Sequence, residues 1–237
     1  MSVPVTLTVS FVLIVMVVAA TMVAALARAY SLERGPAQGK RVAVVAAVVG
    51  ALWMTGHALI AESDVLLGGA PIPPRVAPYL ALTIAACVAF ASSRAGRALA
   101  LHTPLFALVG FHAFRLPLEI WLHTMSGEGL IPVQMTWSGW NFDVLTGASA
   151  ILVGALAWKG LAPRALLWAW NLFGSALLLV VISVAVTSAP TALRMFTDGP
   201  SLDLVFHAPF NWIATVLVSG ALVGHVVLAR RLLMEAE

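Results

Sequence analysis

Seven long apolar stretches constrain this chain more than any other feature of its sequence. A helix rises about 1.5 Å per residue, so about 20 apolar residues cross the roughly 30 Å hydrocarbon core of a bilayer. Because the runs are continuous rather than alternating, they predict helices and exclude a membrane barrel. The predicted spans cover residues 6–28, 41–62, 76–93, 104–124, 142–160, 164–188 and 204–229.

The fold expected from these spans is all-α. A polytopic membrane protein is predicted, in which a bundle of about seven transmembrane helices forms a single domain over residues 1–237. Composition agrees, since 61% of the residues are hydrophobic and 10% are charged, against about a quarter charged in soluble domains. Basic residues follow the first stretch rather than precede it, so we expect a retained span and not a cleaved signal.

Lys and Arg concentrate between alternate spans, and this predicts the orientation of the chain. Basic loops stay on the cytoplasmic side of a membrane. Ten of the 13 basic residues follow spans one, three, five and seven, whereas Arg75 and Arg194 lie on the opposite side and Arg115 lies within a span. The pattern predicts an amino terminus outside the cytoplasm and a carboxyl terminus inside it.

Charge and rare residue types exclude three classes of function. The net charge of +3 mostly reflects the basic loops, so no nucleic-acid partner is expected. A single cysteine, Cys87, excludes an intrachain disulfide and a thiolate metal cluster. The two lysines, Lys40 and Lys159, fall in or beside predicted cytoplasmic loops, which excludes a retinal Schiff base within the membrane.

Four ionisable side chains lie in the fourth predicted span. At about 100° per residue, His112, Arg115, Glu119 and His123 fall within an arc of about 80° on one helix face. A charge in hydrocarbon costs at least about 2.5 kcal/mol, so Arg115 and Glu119 are expected to pair with each other or to reach water. Pro117 lies between them and predicts a bend in the helix.

Further polar residues are expected near the outer ends of the neighbouring spans. Span four runs outward, and spans five and seven begin on that outer side. We therefore predict an outward-facing pocket beneath an ordered loop between spans four and five, which binds a small polar ligand, a lipid headgroup or a metal. The predicted ligand-binding residues are Arg115, Asn141, Gln134, Trp137, His207, Asn211 and His57.

The pocket also suggests a membrane-embedded, metal-dependent enzyme. Glu119 or Asp143 would act as the general base, and His123 as a ligand or proton donor. Three protein ligands and one open position are typical of catalytic zinc. His123, His207 and Asp143 form the predicted metal-binding set, although no motif with a fixed ligand spacing joins them.

Haem is the alternative cofactor. Two histidines on facing spans can ligate its iron, and His57, His112 and His225 are available. His57 is expected near the outer end of span two and His225 near the inner end of span seven, so these two differ in depth.

Two segments resemble a family of uncharacterised bacterial multi-pass membrane proteins. They read FRLPLEIWLH from Phe114 to His123 and GLIPVQMTWSGWNFDVLTG from Gly129 to Gly147. The resemblance implies a location in the bacterial cytoplasmic (inner) membrane. It implies no particular activity. Its family-like positions are Arg115, Glu119, Pro132, Gln134, Met135, Thr136, Gly139, Asn141, Asp143 and Gly147.

Two other functions remain open at the level of sequence. A transporter of an ion or small solute predicts a polar path that continues inward through His112, Asn171 and His225. A structural or assembly subunit predicts that the polar stripe of span four contacts a partner membrane protein or a second copy of the chain.

Overall fold

The computed structural model describes residues 3–63, 65–67 and 74–234, and these residues form helices and no strands. The all-α prediction is therefore confirmed for the described part of the chain. Its α-helices are α1 Val5–Arg34, α2 Pro36–Glu62, α3 Val76–Ser92, α4 Arg94–His102, α5 Leu105–Gly110, α6 Arg115–Gly127, α7 Val144–Trp158, α8 Arg164–Ser188 and α9 Ser219–Met234. Short 3-10 helices cover Phe111–Phe114, Val133–Met135 and Asp203–Phe206, and a π-helix covers Ile213–Val218.

Five helical segments of the described chain are long and apolar enough to cross a membrane: Val5–Arg34, Pro36–Glu62, Leu105–Gly127, Arg164–Ser188 and Ile213–Met234. The pair α3 and α4 is a sixth if its 58° bend lies within one span. Helix α7 has 15 residues, about 22 Å at the usual rise, which is shorter than the hydrocarbon core. The chain is thus a membrane protein with five or six candidate spans, and the predicted number of seven is not confirmed.

The first two helices form a tight hairpin around a glycine. Gly35 adopts a φ of 91° between α1 and α2, and Pro36 then occupies the first turn of α2, where its missing N–H is tolerated. A Cβ on Gly39 would lie 2.7 Å from Cβ of Ser31. The small residue therefore lets the two helices approach closely where the chain reverses.

The polar fourth span is interrupted rather than continuous. Helix α5 ends at Gly110, a 3-10 turn follows, and α6 begins at Arg115. Pro117 is the third residue of α6, a position whose N–H needs no helical partner. The bend predicted at Pro117 is not confirmed; the local change of helix type lies instead at Phe111–Phe114, immediately before the helix that contains the proline.

Two glycines bring α7 against this interrupted span. A Cβ on Gly147 would lie 2.5 Å from the backbone nitrogen of Leu116, and one on Gly154 would lie 3.4 Å from the carbonyl oxygen of Phe106. Only a residue without a side chain fits so close to another backbone at Gly147. The contact fixes the start of α7 beside the start of α6.

The loop between α6 and α7 is an ordered cap, as predicted. The Leu130 N–H donates to the Met125 carbonyl at 3.0 Å, and the Asn141 N–H donates to the Thr136 carbonyl at 3.2 Å. Ile131 and Met135 are buried among the apolar side chains of the surrounding helices. The loop therefore packs into one end of the bundle and carries Asn141 and Asp143 inward.

Arginines bind helix ends at the opposite end of the bundle. Nη1 of Arg230 donates to the Ser93 carbonyl at 2.8 Å and to the Ala91 carbonyl at 3.0 Å, at the end of α3. Nη2 of Arg164 donates to the Leu232 carbonyl at 2.7 Å, near the end of α9. These cations satisfy terminal carbonyls and complement the negative ends of the helix dipoles.

Candidate functional site

A buried ion pair lies where α6 and α7 begin. Nη1 of Arg115 lies 2.6 Å from Oδ1 of Asp143, and the side chains are 1% and 6% exposed. The same nitrogen lies 3.4 Å from the carbonyl oxygen of Gly174 on α8. The predicted pairing of Arg115 with Glu119 is wrong. The close approach at Gly147 places Asp143 against the guanidinium, and Glu119 has a different partner.

Glu119 is held by an asparagine from the capping loop. Nδ2 of Asn141 lies 2.9 Å from each carboxyl oxygen of Glu119 and 3.0 Å from the Met135 carbonyl. The Asn141 Oδ1 accepts the backbone N–H of Asp143 at 3.0 Å. All four polar residues of the two pairs are buried. Asn141 therefore joins the glutamate to the ion pair.

Two histidines extend this cluster towards the other end of the bundle. The rings of His112 and His225 have centroids 4.1 Å apart and planes 37° apart. Nδ1 of His225 lies 2.8 Å from Oδ1 of Asn171, and the Asn171 amide donates to the His225 carbonyl at 3.2 Å. All three side chains are buried.

Gly174 connects the histidines to the ion pair. Its carbonyl faces Arg115, and a Cβ on it would lie 2.7 Å from Cε1 of His225 and 2.9 Å from Cγ2 of Thr146. A Cβ on Gly224 would similarly lie 2.7 Å from Nε2 of His112. The two glycines give the imidazoles room between helices. The result is a polar chain formed by Glu119, Asn141, Asp143, Arg115, His225, His112 and Asn171.

Several polar atoms in this chain have neither a hydrogen-bond partner in the described protein nor solvent-accessible surface. They are Nε and Nη2 of Arg115, both ring nitrogens of His112, and Nε2 of His225. A buried donor without a partner costs about 1–3 kcal/mol, and more when it is charged. These buried groups therefore lower the free energy of unfolding. Unpartnered or ionisable groups of this kind inside a membrane are typical of a functional site.

The other predicted site residues have different partners. His123 stacks on Trp137 with ring centroids 4.1 Å apart, beneath the capping loop that also contains Gln134. His207 is 53% exposed, and its Nδ1 lies 3.9 Å from Glu62. Hydrogen bonds therefore join Arg115, Glu119, Asn141 and Asp143 of the predicted pocket, whereas the contacts of His123 and His207 are with other residues.

Two more of the predicted residues make no hydrogen bond with the cluster in the described part of the chain. His57 is buried on α2, where its Nδ1 is hydrogen-bonded to the hydroxyl of Tyr79. Asn211 is buried just before the π-helix, and neither atom of its amide has a partner. Neither residue belongs to the Arg115 cluster.

The predicted metal ligands do not converge. Asp143 is paired with Arg115, His123 stacks on Trp137, and His207 lies beside Glu62. Within the described residues, no three His, Cys, Asp or Glu side chains are grouped so that they could hold a metal ion.

The histidines proposed for haem are arranged differently from a pair of axial ligands. His112 and His225 stack directly on each other, with Trp170 at 5.3 Å and 5.8 Å from their respective ring centroids. No porphyrin fits between rings in such contact. His57 belongs to a separate contact with Tyr79.

Sequence reasoning names the polar residues of the cluster but misses the glycines that assemble it. Gly147, Gly174 and Gly224 look like ordinary small residues of apolar helices. Polar residues on several spans next to helical glycines are a signal that could have indicated a close crossing, since small residues let helices in a membrane approach closely. No family model matches this chain, and no curated protein or solved structure matches it either.

Proposed function

We propose that this chain is a proton-transferring protein of the membrane, in which protons move along the buried line from Glu119 to the pair His112 and His225. The line itself is the observation that supports this function. Hydrogen bonds join Glu119 to Asn141, Asn141 to the Asp143 backbone and Asp143 to Arg115, while His225 contacts Asn171 and His112. Arg115 and His225 share Gly174 as a neighbour. This is the inward path that a transporter requires.

The closed packing favours a proton over a larger ligand. The unpartnered nitrogens of Arg115, His112 and His225 have no solvent-accessible surface, so a solute or hydrated ion has no space beside them in this conformation. A proton needs only a donor and an acceptor, with water or a side-chain rotation between them. Under this proposal, the packed conformation is the closed state of a transfer cycle.

Different residues have different roles in this mechanism. Glu119 and Asp143 exchange protons towards the loop end, and His225 and His112 do so deeper in the bundle. Arg115 stays protonated, because its guanidinium does not lose a proton in proteins, and it stabilises a negative charge on Asp143. Protons therefore pass beside Arg115, between Asp143 and His225, through a water or a side-chain rotation that links the two. Asn141 and Asn171 orient the carboxylate and the imidazole respectively.

The proposed membrane topology has seven crossings, with the amino terminus outside and the carboxyl terminus in the cytoplasm. Its support is the concentration of basic residues at the end of the bundle where α1, α3, α7 and α9 finish. Helices α3 and α7 are then short crossings, and the capping loop completes the crossing of α7. The resemblance of the segments Phe114–His123 and Gly129–Gly147 supports the cytoplasmic membrane of a bacterium.

Proton flux into liposomes tests the function. Purified protein is reconstituted with a pH-sensitive dye inside, and a potassium gradient with valinomycin drives proton entry. We expect wild-type flux above that of protein-free liposomes, and at least a tenfold loss in Glu119→Gln and His225→Phe. His207→Ala is the matched control, since His207 is 53% exposed and outside the cluster. Flux equal to that of empty liposomes, or unchanged in both cluster variants, would overturn the proposal.

The second candidate function is binding of a small anionic or polar ligand after the site opens. The unpartnered N–H groups of Arg115 favour it. Nε and Nη2 are unpartnered, and a guanidinium binds carboxylate or phosphate with two parallel hydrogen bonds. In an enzyme built on this site, Glu119 or Asp143 would be the general base. A rise in thermal stability with acetate or phosphate that Arg115→Lys abolishes would support this function over proton transfer alone.

The polar stripe gives little support to an assembly subunit. Arg115, Glu119, Asn141 and Asp143 are already enclosed within one chain, so they are not available to a partner protein. A partner membrane protein or a second copy would have to contact other surfaces.

A further inference from the structure

The proposed proton path ends in a residue that does not reach the surface of the protein. Glu119 is 1% exposed, and both of its carboxyl oxygens lie 2.9 Å from Nδ2 of Asn141, which is itself buried. Glu119 also precedes Gly127, the last residue of α6, by eight residues, which is about 12 Å along the helix. Another group must therefore carry protons between Glu119 and the solution at the loop end of the bundle.

His123 lies midway between Glu119 and the end of α6. It follows Glu119 by four residues and precedes Gly127 by four. Residues four apart on a helix share one face and are separated by about 6 Å along its axis. His123 is therefore the neighbour of Glu119 on the side of the helix end, at a distance that one water molecule or a rotation of the ring spans.

The His123 ring connects the surface of the protein with its interior. The side chain is half-buried, whereas its Nδ1 has neither solvent-accessible surface nor a hydrogen-bond partner in the described protein. A buried polar group without a partner costs about 1–3 kcal/mol, so packing alone does not account for a histidine here. A neutral imidazole has one donor and one acceptor nitrogen. The ring can therefore accept a proton on one side and release one on the other.

Stacking on Trp137 orients this ring by its face and leaves the ring nitrogens at its edge. The two rings have centroids 4.1 Å apart and planes 11° apart. Trp137 belongs to the ordered cap, in which the Thr136 carbonyl accepts the N–H of Asn141 at 3.2 Å. The same loop thus holds His123 through Trp137 and Glu119 through Asn141. An aromatic face also stabilises a cation beside it, so the stack accommodates a protonated imidazole.

His123 is the only titratable side chain between Glu119 and Glu128 along the chain. The structure describes every residue from 115 to 143, and the remaining titratable residues of that stretch are Arg115 and Asp143. These two are paired with each other in the interior, whereas Glu128 is exposed immediately beyond α6. On this helix and its cap, His123 is therefore the group through which a proton can pass from the surface to Glu119.

The geometry points to His123 as the relay that carries protons between the solution at the loop end and Glu119, a role that rests on the proton-transfer function proposed above. Water protonates the half-buried ring. The imidazolium then gives one of its two N–H protons to the ionised carboxyl group of Glu119, through one water or a rotation of the ring, and a neutral imidazole remains. One proton moves and the total charge is unchanged.

Proton flux in weakly buffered medium tests this role. His123→Phe keeps an aromatic ring against Trp137 but cannot be protonated. In the same liposome assay its flux should fall at least about tenfold, since positioned acids and bases contribute about 100-fold or more to proton transfer. A higher concentration of MES, a membrane-impermeant buffer, outside the liposomes should restore this flux several-fold, because a mobile buffer delivers protons in place of the ring. It should not restore Glu119→Gln, which lacks the acceptor.

Two further variants separate a relay from a structural role. His207→Phe makes the same substitution at a 53% exposed histidine outside the cluster, and its flux should equal that of wild type. His123→Asn keeps a hydrogen-bonding group close to the position of Nδ1 but cannot be protonated, so it should lose flux as His123→Phe does. It also replaces His123→Phe in the assay if thermal unfolding shows that the larger side chain disturbs the fold.

The outcomes distinguish this relay from the function on which it rests. Wild-type flux equal to that of empty liposomes would overturn both. Wild-type flux that Glu119→Gln abolishes and both His123 variants retain would overturn the relay alone. A loss in the His123 variants that external buffer does not restore would assign this histidine a structural role and would also overturn the relay.

Discussion

Nη1 of Arg115 and Oδ1 of Asp143 lie 2.6 Å apart, and this ion pair joins the first residue of α6 to the residue immediately before α7. Both side chains are almost completely buried. A buried ion pair contributes little net stability, because desolvation offsets the attraction, but removing one partner leaves an isolated charge. The pair therefore constrains which substitutions the chain tolerates.

Asp143→Asn should destabilise the protein by about 3–5 kcal/mol, because it leaves the Arg115 guanidinium buried without a countercharge. Chemical unfolding in mixed micelles measures the change in free energy. The double variant Arg115→Met/Asp143→Leu should recover most of the loss, since it removes both charges together. A double variant as unstable as Asp143→Asn would show that the pair is not the cause.

Gly147→Ala should separate α7 from α6. The added Cβ would lie 2.5 Å from the backbone nitrogen of Leu116, and a backbone atom cannot rotate away as a side chain can. Overpacking of this kind costs about 1–3 kcal/mol, and here it also displaces Asp143 from Arg115. Unfolding measurements should show the loss of stability.

Gly56→Ala is the control for this effect. A Cβ on Gly56 in α2 meets nothing within 4 Å, and alanine favours a helix more than glycine does. We expect no loss of stability there. Equal destabilisation at both glycines would contradict the role assigned to the Gly147 contact.

Asn141→Leu should cost about 3 kcal/mol or more. It removes the donor to both carboxyl oxygens of Glu119 and the acceptor of the Asp143 N–H, and each buried group left without a partner costs about 1–3 kcal/mol. His207→Ala, at an exposed position, should change stability by less than about 0.5 kcal/mol. Comparable losses at both positions would mean that the buried cluster does not stabilise the fold.

The sequence predicts that the chain is built from apolar helices, because the length of a hydrophobic run is a local property, but the predicted number of seven spans is not confirmed. It also predicts that Arg115, Glu119, Asn141 and Asp143 belong to one region, since burying charges requires partners. The sequence does not predict which charged residues pair with each other or which helices lie side by side. Arg115 pairs with Asp143 rather than Glu119 because Gly147 allows a close crossing, and crossing distances depend on packing between spans rather than on spacing within one.

The same limit explains why the sequence assigns too many residues to one pocket. Depth in the membrane can be estimated from the chain, so His123, His207 and Asn211 were expected at one level with the cluster. Their direction around the bundle cannot be estimated in that way. In the structure, Asn211 is buried just before the π-helix, and His207 lies beside Glu62 at the surface.

Labelling of single cysteines should establish the orientation. In a Cys87→Ala background, Ser138→Cys lies in the exposed part of the capping loop and Ala37→Cys lies near the start of α2, at the basic end. The concentration of Lys and Arg at that end predicts that it faces the cytoplasm. In intact cells, a membrane-impermeant maleimide should therefore label position 138 and not 37, and both positions should react once the membrane is opened. The reverse pattern would place the amino terminus inside, and with it the Glu119 end of the proposed proton path would face the cytoplasm.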